Sequence, residues 1–174
     1  QHASYEHPAV REACFTIIER MSRELGRHPS VIAWQLDNEM KAHVSEDYSD
    51  AAIANWHKWL KKRFKHIDAL NKAWGTHIWS QYYTAFEQVP ASVTTPFLHN
   101  ASLITAYKMF CRESVADFMV AQRESIRKYS DLPITHNDNP AFNIHHERSM
   151  LAQDFKPNRL EAAKDVAKTF IKDR

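Results

Sequence analysis

The chain has 174 residues, 44% of them apolar and 25% charged, which is enough length and hydrophobicity to bury one core and excludes a disordered chain. Lys and Arg number 23 against 21 Asp and Glu, for a net charge of +2, and the basic residues are spread along the chain. That balance argues against nucleic acid or an anionic membrane as partner and for a neutral substrate.

Two glycines, Gly26 and Gly75, stand where average usage would supply about twelve, a scarcity that favours helices over hairpins. From His7 to Gly26 the apolar positions Val10, Cys14, Ile17, Ile18, Met21 and Leu25 recur at three and four residues, which predicts a helix with Gly26 at its C-cap. Arg27 to Ser30 is a short polar link. Val31 to Leu36 is an apolar run too short for a helix, and it reads as a strand buried on both faces of a parallel sheet. Asp50 to Phe64 places Ile53, Trp56, Leu60 and Phe64 on one helical face, and a shorter helix from Ile67 to Trp74 is stopped by Gly75. Thr76 to Pro96 is aromatic, holds two prolines and has no clean period, so it reads as a long excursion on the surface. Leu103, Tyr107, Phe110, Ser114, Phe118 and Ile126 trace a long helix ending near Tyr129, and Leu132 to His136 is a second strand candidate. Near the end, Asn158 and Glu161 form a capping box for a helix that displays Leu160, Ala163, Ala167 and Phe170. The alternation of helix and strand is that of βα units, so the fold class is α/β and helix-rich.

Cys14 and Cys111 fall in apolar helical patterns and are expected as core thiols. No stretch approaches the roughly 20 apolar residues of a membrane span, and QHASYEHPAV lacks the regions of a signal peptide. A cytoplasmic location is the expectation, with an upstream segment left open because the first residue is not Met.

The run 31–36 closes on Asp37, Asn38 and Glu39. In open parallel sheets and βα barrels, ligands bind beyond the carboxyl ends of strands, where the loops carry the chemistry. A carboxyl held there between hydrophobic walls is raised in pKa by desolvation, so that Glu39 could arrive protonated and donate to a leaving group, while Asn38 could hydrogen-bond a sugar hydroxyl. Taken alone, the trio reads more readily as a strand-terminal turn capped by Asn and Asp.

The stretch "HPSVIAWQLDNEM" resembles the segment of family-42 glycoside hydrolases, bacterial β-galactosidases, in which an HPxVxxWQxDNE pattern ends the fourth barrel strand. "LNKAWGTHIWSQYYTAFEQVP", residues 70–90, resembles a second block of the same family, and "FCRESVADFMVAQRESIRKYSDLPITHN" a third, weaker one. Together they cover roughly residues 1–147. The resemblance implies a partial (β/α)8 TIM barrel, the middle portion around strands 4–5, with residues 1–148 as one domain. It implies hydrolysis of terminal β-D-galactosides with retention, Glu39 as general acid/base and Asn38 as a contact to the substrate sugar. It also implies a nucleophilic carboxylate on a seventh strand, which this chain is too short to reach. Glu87 falls in the second block, where the family has no catalytic carboxylate. For Asn38 and Glu39 both to meet a sugar, the resemblance further implies that the backbone leaves strand geometry near Asp37, because alternate strand residues face opposite ways.

Trp74, Trp79, Tyr82, Tyr83 and Phe86 crowd one region, where rings could stack on sugar C–H faces or pack onto helices. Trp79 is the candidate for the sugar-facing role, because the family places an aromatic from this excursion near the pocket, sometimes across a subunit boundary. Asn137, with Asp138, ends the second strand on the presumed active-site face and is a further substrate-binding candidate. His145 and His146 are adjacent, diverge in either regular structure and lack a third ligand, so no metal and no cofactor is expected. A homo-oligomer is expected when the full barrel is present.

Residues 149–174 resemble the start of a von Willebrand factor A-type domain of the aerotolerance kind, with His145 and Glu147 where that motif has its metal-binding Asp and first Ser, and a helical segment of different origin is the expectation there. The alternative function is a non-catalytic helical module that binds sugar or protein through its aromatic loop, with metal-dependent adhesion as a third possibility.

Overall fold

The computed structural model describes residues 3–40, 46–96 and 100–137, with Trp79 described for its backbone only. The terminal helix expected around residues 158–170, and Asp138, His145 and His146, lie outside the described residues. Helix α1 spans Pro8–Leu25, and the His7 Nδ1 accepts the Ala9 N–H as its N-terminal cap. Gly26 closes α1 in right-handed conformation, φ −61° and ψ −18°, so its missing side chain serves packing rather than a left-handed turn. A Cβ there would stand 2.3 Å from the Ser22 carbonyl oxygen and 2.7 Å from that of Tyr129. Ser130 uses this close approach: its hydroxyl donates to the Gly26 carbonyl at 3.0 Å and accepts the Trp34 indole N–H at 3.0 Å.

Strand β1, Trp34–Gln35, pairs in parallel with β2, Ile134–Thr135, with Trp34 opposite Ile134. The ladder is shorter than the apolar runs that suggested it, although the Leu36 N–H still donates to the Thr135 carbonyl at 2.8 Å. The expectation of a strand buried on both faces is corrected: Ile32 is 82% exposed and Ala33 is exposed. Burial of a parallel strand requires neighbours on both edges and helices on both faces, and among the described residues β1 has β2 alone beside it.

Helices α2, Asp50–Phe64, and α3, Ile67–Trp74, begin and end where the periodicity places them. The Ser49 hydroxyl accepts the Ala52 N–H, and Gly75 ends α3 at φ 62° and ψ 37°, the left-handed conformation that glycine adopts without strain. The segment 76–96 is a surface excursion only in part. It folds back through two 3-10 turns, Ile78–Ser80 and Phe86–Gln88, and buries Thr76, Phe86, Val89 and Ala91. Buried Asn71 pins it: its amide donates to the Tyr83 carbonyl at 2.7 Å, and its carbonyl accepts the Thr76 hydroxyl at 2.6 Å and the Tyr83 N–H at 3.1 Å.

Helix α4, Ala101–Arg127, is 27 residues long and contributes to two cores. Its first half packs with α2, α3 and the folded-back segment around Trp56, which is fully buried. Rings of Trp59, Tyr107 and Phe110 lie 5.1–5.7 Å from Trp56, and its indole N–H donates to the Pro90 carbonyl. Cys111 belongs to this core. The second half of α4 contributes Val115 and Phe118 to a smaller cluster that holds Met40, with Tyr5, Cys14, Phe15 and Met119 around it. The helix that continues into β2 therefore also sets the strand pair against α1. No helix among the described residues is long and apolar enough to cross a membrane.

Candidate active site

Because β1 and β2 are parallel and in register, both chains leave the sheet at the same end, β1 into Asp37–Met40 and β2 into His136 and Asn137. The first of these exits is not extended. Asp37 has φ 48° and Glu39 has φ 44°, a left-handed conformation that L side chains adopt at a cost. Two left-handed residues flanking Asn38 break the two-residue alternation of the strand, which is the departure that the resemblance requires if Asn38 and Glu39 are to serve one ligand.

Among the described residues, four hydrogen bonds hold this turn. The Asp37 carboxylate accepts the Asn38 N–H at 2.8 Å, and the Gln35 amide donates to the Asp37 carbonyl at 3.0 Å. Across the sheet, the Glu39 N–H donates to the Asn137 carbonyl at 2.9 Å, and the Asn137 amide donates to the Asn38 side-chain oxygen at 2.8 Å. Behind Asn137, the His136 Nδ1 lies 2.6 Å from the Leu36 carbonyl; a carbonyl can only accept, so Nδ1 carries the hydrogen.

The structure therefore brings Asn38, Glu39 and Asn137 together. Glu39 is half-buried, and Met40 beside it is enclosed. Trp79 stands in the 3-10 turn Ile78–Ser80 after α3, in the part of the chain built on the first core, and its backbone alone is described. Of its aromatic companions, Trp74 and Phe86 are core residues, Tyr83 is half-buried, and Tyr82 is exposed with its hydroxyl on the Asp68 carboxylate at 2.7 Å. Glu87 is exposed and paired with Lys61 at 2.5 Å; that hydrogen bond, and then its own backbone N–H, hold its carboxyl below the usual range.

Three neighbours of the turn carry no signal in the local sequence. Gln35 lies inside the strand pattern, Met40 reads as one more apolar residue, and Tyr5 is remote in the chain. Yet Tyr5 stacks on Phe118 at 4.9 Å and packs against the cluster that holds Met40, and its hydroxyl is raised above its ordinary pKa by burial, then by the charge of Asp37 and by Cys14. Among the described residues, no group of three His, Cys, Asp or Glu could hold a metal ion.

The chain as a whole has counterparts among known proteins. The family model described as β-galactosidase, that of glycoside hydrolase family 42, matches residues 1–159. The β-galactosidases YesZ of Bacillus licheniformis and of Bacillus subtilis are each 44% identical to the chain over 171 residues, 98% of this chain and 26% of theirs. Among solved structures, the β-galactosidase of the psychrophilic Marinomonas ef1 superposes with a TM-score of 0.76 at 30% identity, covering 79% of this chain and 21% of that one. The polyextremophilic β-galactosidase of the haloarchaeon Halorubrum lacusprofundi does so with a TM-score of 0.75 at 33% identity, covering 79% and 22%. The chain thus spans about a quarter of the length of the curated relatives it matches. The family model and the two YesZ relatives run past Arg148, and the von Willebrand factor A-type resemblance of the last residues finds no support in them.

Proposed function

Because the chain belongs to the family-42 glycoside hydrolases, we propose that it contributes the acid/base side of a site that hydrolyses terminal β-D-galactosides with retention. In this reading β1 and β2 are the fourth and fifth strands of a (β/α)8 barrel, and Asp37–Met40 forms the rim of its catalytic face. Glu39 donates a proton to the glycosidic oxygen as the aglycone leaves, while a second carboxylate about 5–5.5 Å away attacks the anomeric carbon. The resulting galactosyl-enzyme is then hydrolysed by a water that gives its proton back to the Glu39 carboxylate, which restores the acid. The nucleophile comes from chain beyond these residues.

Asn38 donates its amide to a sugar hydroxyl, and the Asn137 amide holds it in place by donating to the Asn38 side-chain oxygen. Trp79 offers a ring for the apolar face of the sugar. The observation that carries the reading is the left-handed pair Asp37 and Glu39 at the end of a parallel strand, with Asn38 bonded across to Asn137.

The test is Glu39→Gln in the intact polypeptide that carries these residues, assayed on an aryl β-galactoside. Loss of the acid/base should lower kcat by about 10²- to 10⁴-fold while the fold is retained. A variant that turns over at the parent rate removes Glu39 from the mechanism.

A further inference from the structure

We propose that Met40 is the positioning residue that aims Glu39, by anchoring the strained turn in the cluster between α1 and α4. The inference rests on the acid/base reading of Glu39 given above. Two left-handed non-glycine residues in a three-residue span will relax toward ordinary conformations unless something over-determines them. The side-chain hydrogen bonds made by Gln35, Asp37 and Asn137 lie at exposed positions where water competes for each partner. Met40 is different. It is 5% exposed, whereas Asp37 and Asn38 are exposed and Glu39 half-buried, so it is the one side chain of the turn that is fixed by packing.

Its partners are Val115 and Phe118 of α4, with Tyr5, Cys14 and Phe15 closing round them. That cluster is itself braced. The Arg11 guanidinium lies over Phe15 at 5.3 Å and over Phe118 at 5.1 Å, and donates to the Tyr5 carbonyl at 3.1 Å. Adjacent Cα atoms are about 3.8 Å apart, so a side chain locked at residue 40 confines the backbone of Glu39 from one side while the bond to Asn137 confines it from the other. The two constraints together select where the carboxyl points. Catalytic geometry tolerates little error: a displacement of about 1 Å can cost roughly 100-fold.

The experiment uses the intact polypeptide and compares kcat/KM on a methyl β-galactoside, whose leaving group needs a proton, with that on a dinitrophenyl β-galactoside, whose leaving group does not. Met40→Ala should lose about 10- to 100-fold on the methyl substrate and stay within about threefold on the activated one, with inhibition by galactose unchanged. Met40→Leu, which conserves volume, should return both values to within about threefold of the parent. Met40→Val provides a milder cavity should the alanine variant not fold, with an intermediate and equally leaving-group-dependent loss expected. Leu60→Ala, which weakens the other core, should show no leaving-group dependence. A loss equal on both substrates, or no loss, in Met40→Ala or Met40→Val while Glu39→Gln shows the dependence overturns the anchor and leaves the acid/base reading standing. Absence of the dependence in Glu39→Gln overturns both.

Discussion

The two halves of this molecule are finished to different degrees. Around Trp56, the helices α2 and α3, the folded-back segment 76–96 and the first half of α4 close a core of their own, with Trp56, Leu60, Leu70, Val89, Leu103 and Tyr107 almost entirely removed from water. Around β1, by contrast, two residues of ladder rest on one neighbouring strand, and the apolar run leading into it stays open at Ile32 and Ala33. What separates them is that a helix satisfies its own backbone and needs a partner on one stripe, whereas a parallel strand needs partners on two edges and two faces. A piece of an α/β fold therefore keeps its helical subcores and exposes its sheet.

The largest test of that contrast removes the centre of the finished half. Trp56 is fully buried, with its indole N–H bonded to the Pro90 carbonyl and aromatic rings on several sides. Trp56→Ala should cost about 3–5 kcal/mol, measured as the shift of the urea midpoint at constant slope. A cost below about 1 kcal/mol would mean that this core does not hold the chain together.

The same contrast explains what was legible in the residues. Helices α2 and α3 could be read to their ends because their signals are local: Ser49 caps one, and Gly75 supplies the left-handed stop for the other. Long helix α4 was visible from the spacing of Leu103, Tyr107, Phe110 and Phe118. The burial of 76–96 was not, because it depends on Asn71 and on the floor that α2 and α4 provide, neither of which leaves a period in the segment itself. Gly26 looked like an ordinary cap, and its close approach to Tyr129 came from the far end of α4. At the site, Asn38, Glu39 and Asn137 could be named as candidates from the strand ends, with family resemblance choosing between a site and a turn. The left-handed backbone and the anchoring of Met40 could not be read. The partners concerned, Asn137 for the turn and Val115 and Phe118 for Met40, are all distant along the chain and leave no mark on residues 37–40 themselves.

A smaller effect marks the seam where α4 passes from one half to the other. Burial, then the neighbouring Glu113 carboxylate, raise the Asp117 pKa above its ordinary value, with Glu6 adding to the shift and Lys62 and Arg11 opposing it. The folded chain thus binds this proton more tightly than the unfolded chain does. Stability falls as pH rises from the ordinary aspartate value through the folded one, stays at the lower level above that window, and is unaffected below it. Asp117→Asn should therefore be the more stable protein at neutral pH and match the parent in acid below the unfolded pKa. The gain should be under about 1 kcal/mol, because the side chain is largely exposed and solvent screens it. Denaturant titrations at the two pH values check the sign; a variant less stable at neutral pH would show that Lys62 and Arg11 dominate at the seam.

The smallest expected effect is the sharpest test of the difference between the halves. Ile32 is 82% exposed, so Ile32→Ser removes little buried surface and should leave the stability of the 174-residue chain within about 0.5 kcal/mol. The same substitution in a polypeptide that supplies the missing strands and covering helices would forfeit the burial of a whole isoleucine side chain, about 1.5–3 kcal/mol. Paired measurements on the two lengths of chain isolate the contribution of the added sheet at a single residue. An equal cost in both would place Ile32 on an outer surface of the completed fold, and β1 would then stand at a sheet edge, which a closed barrel does not have.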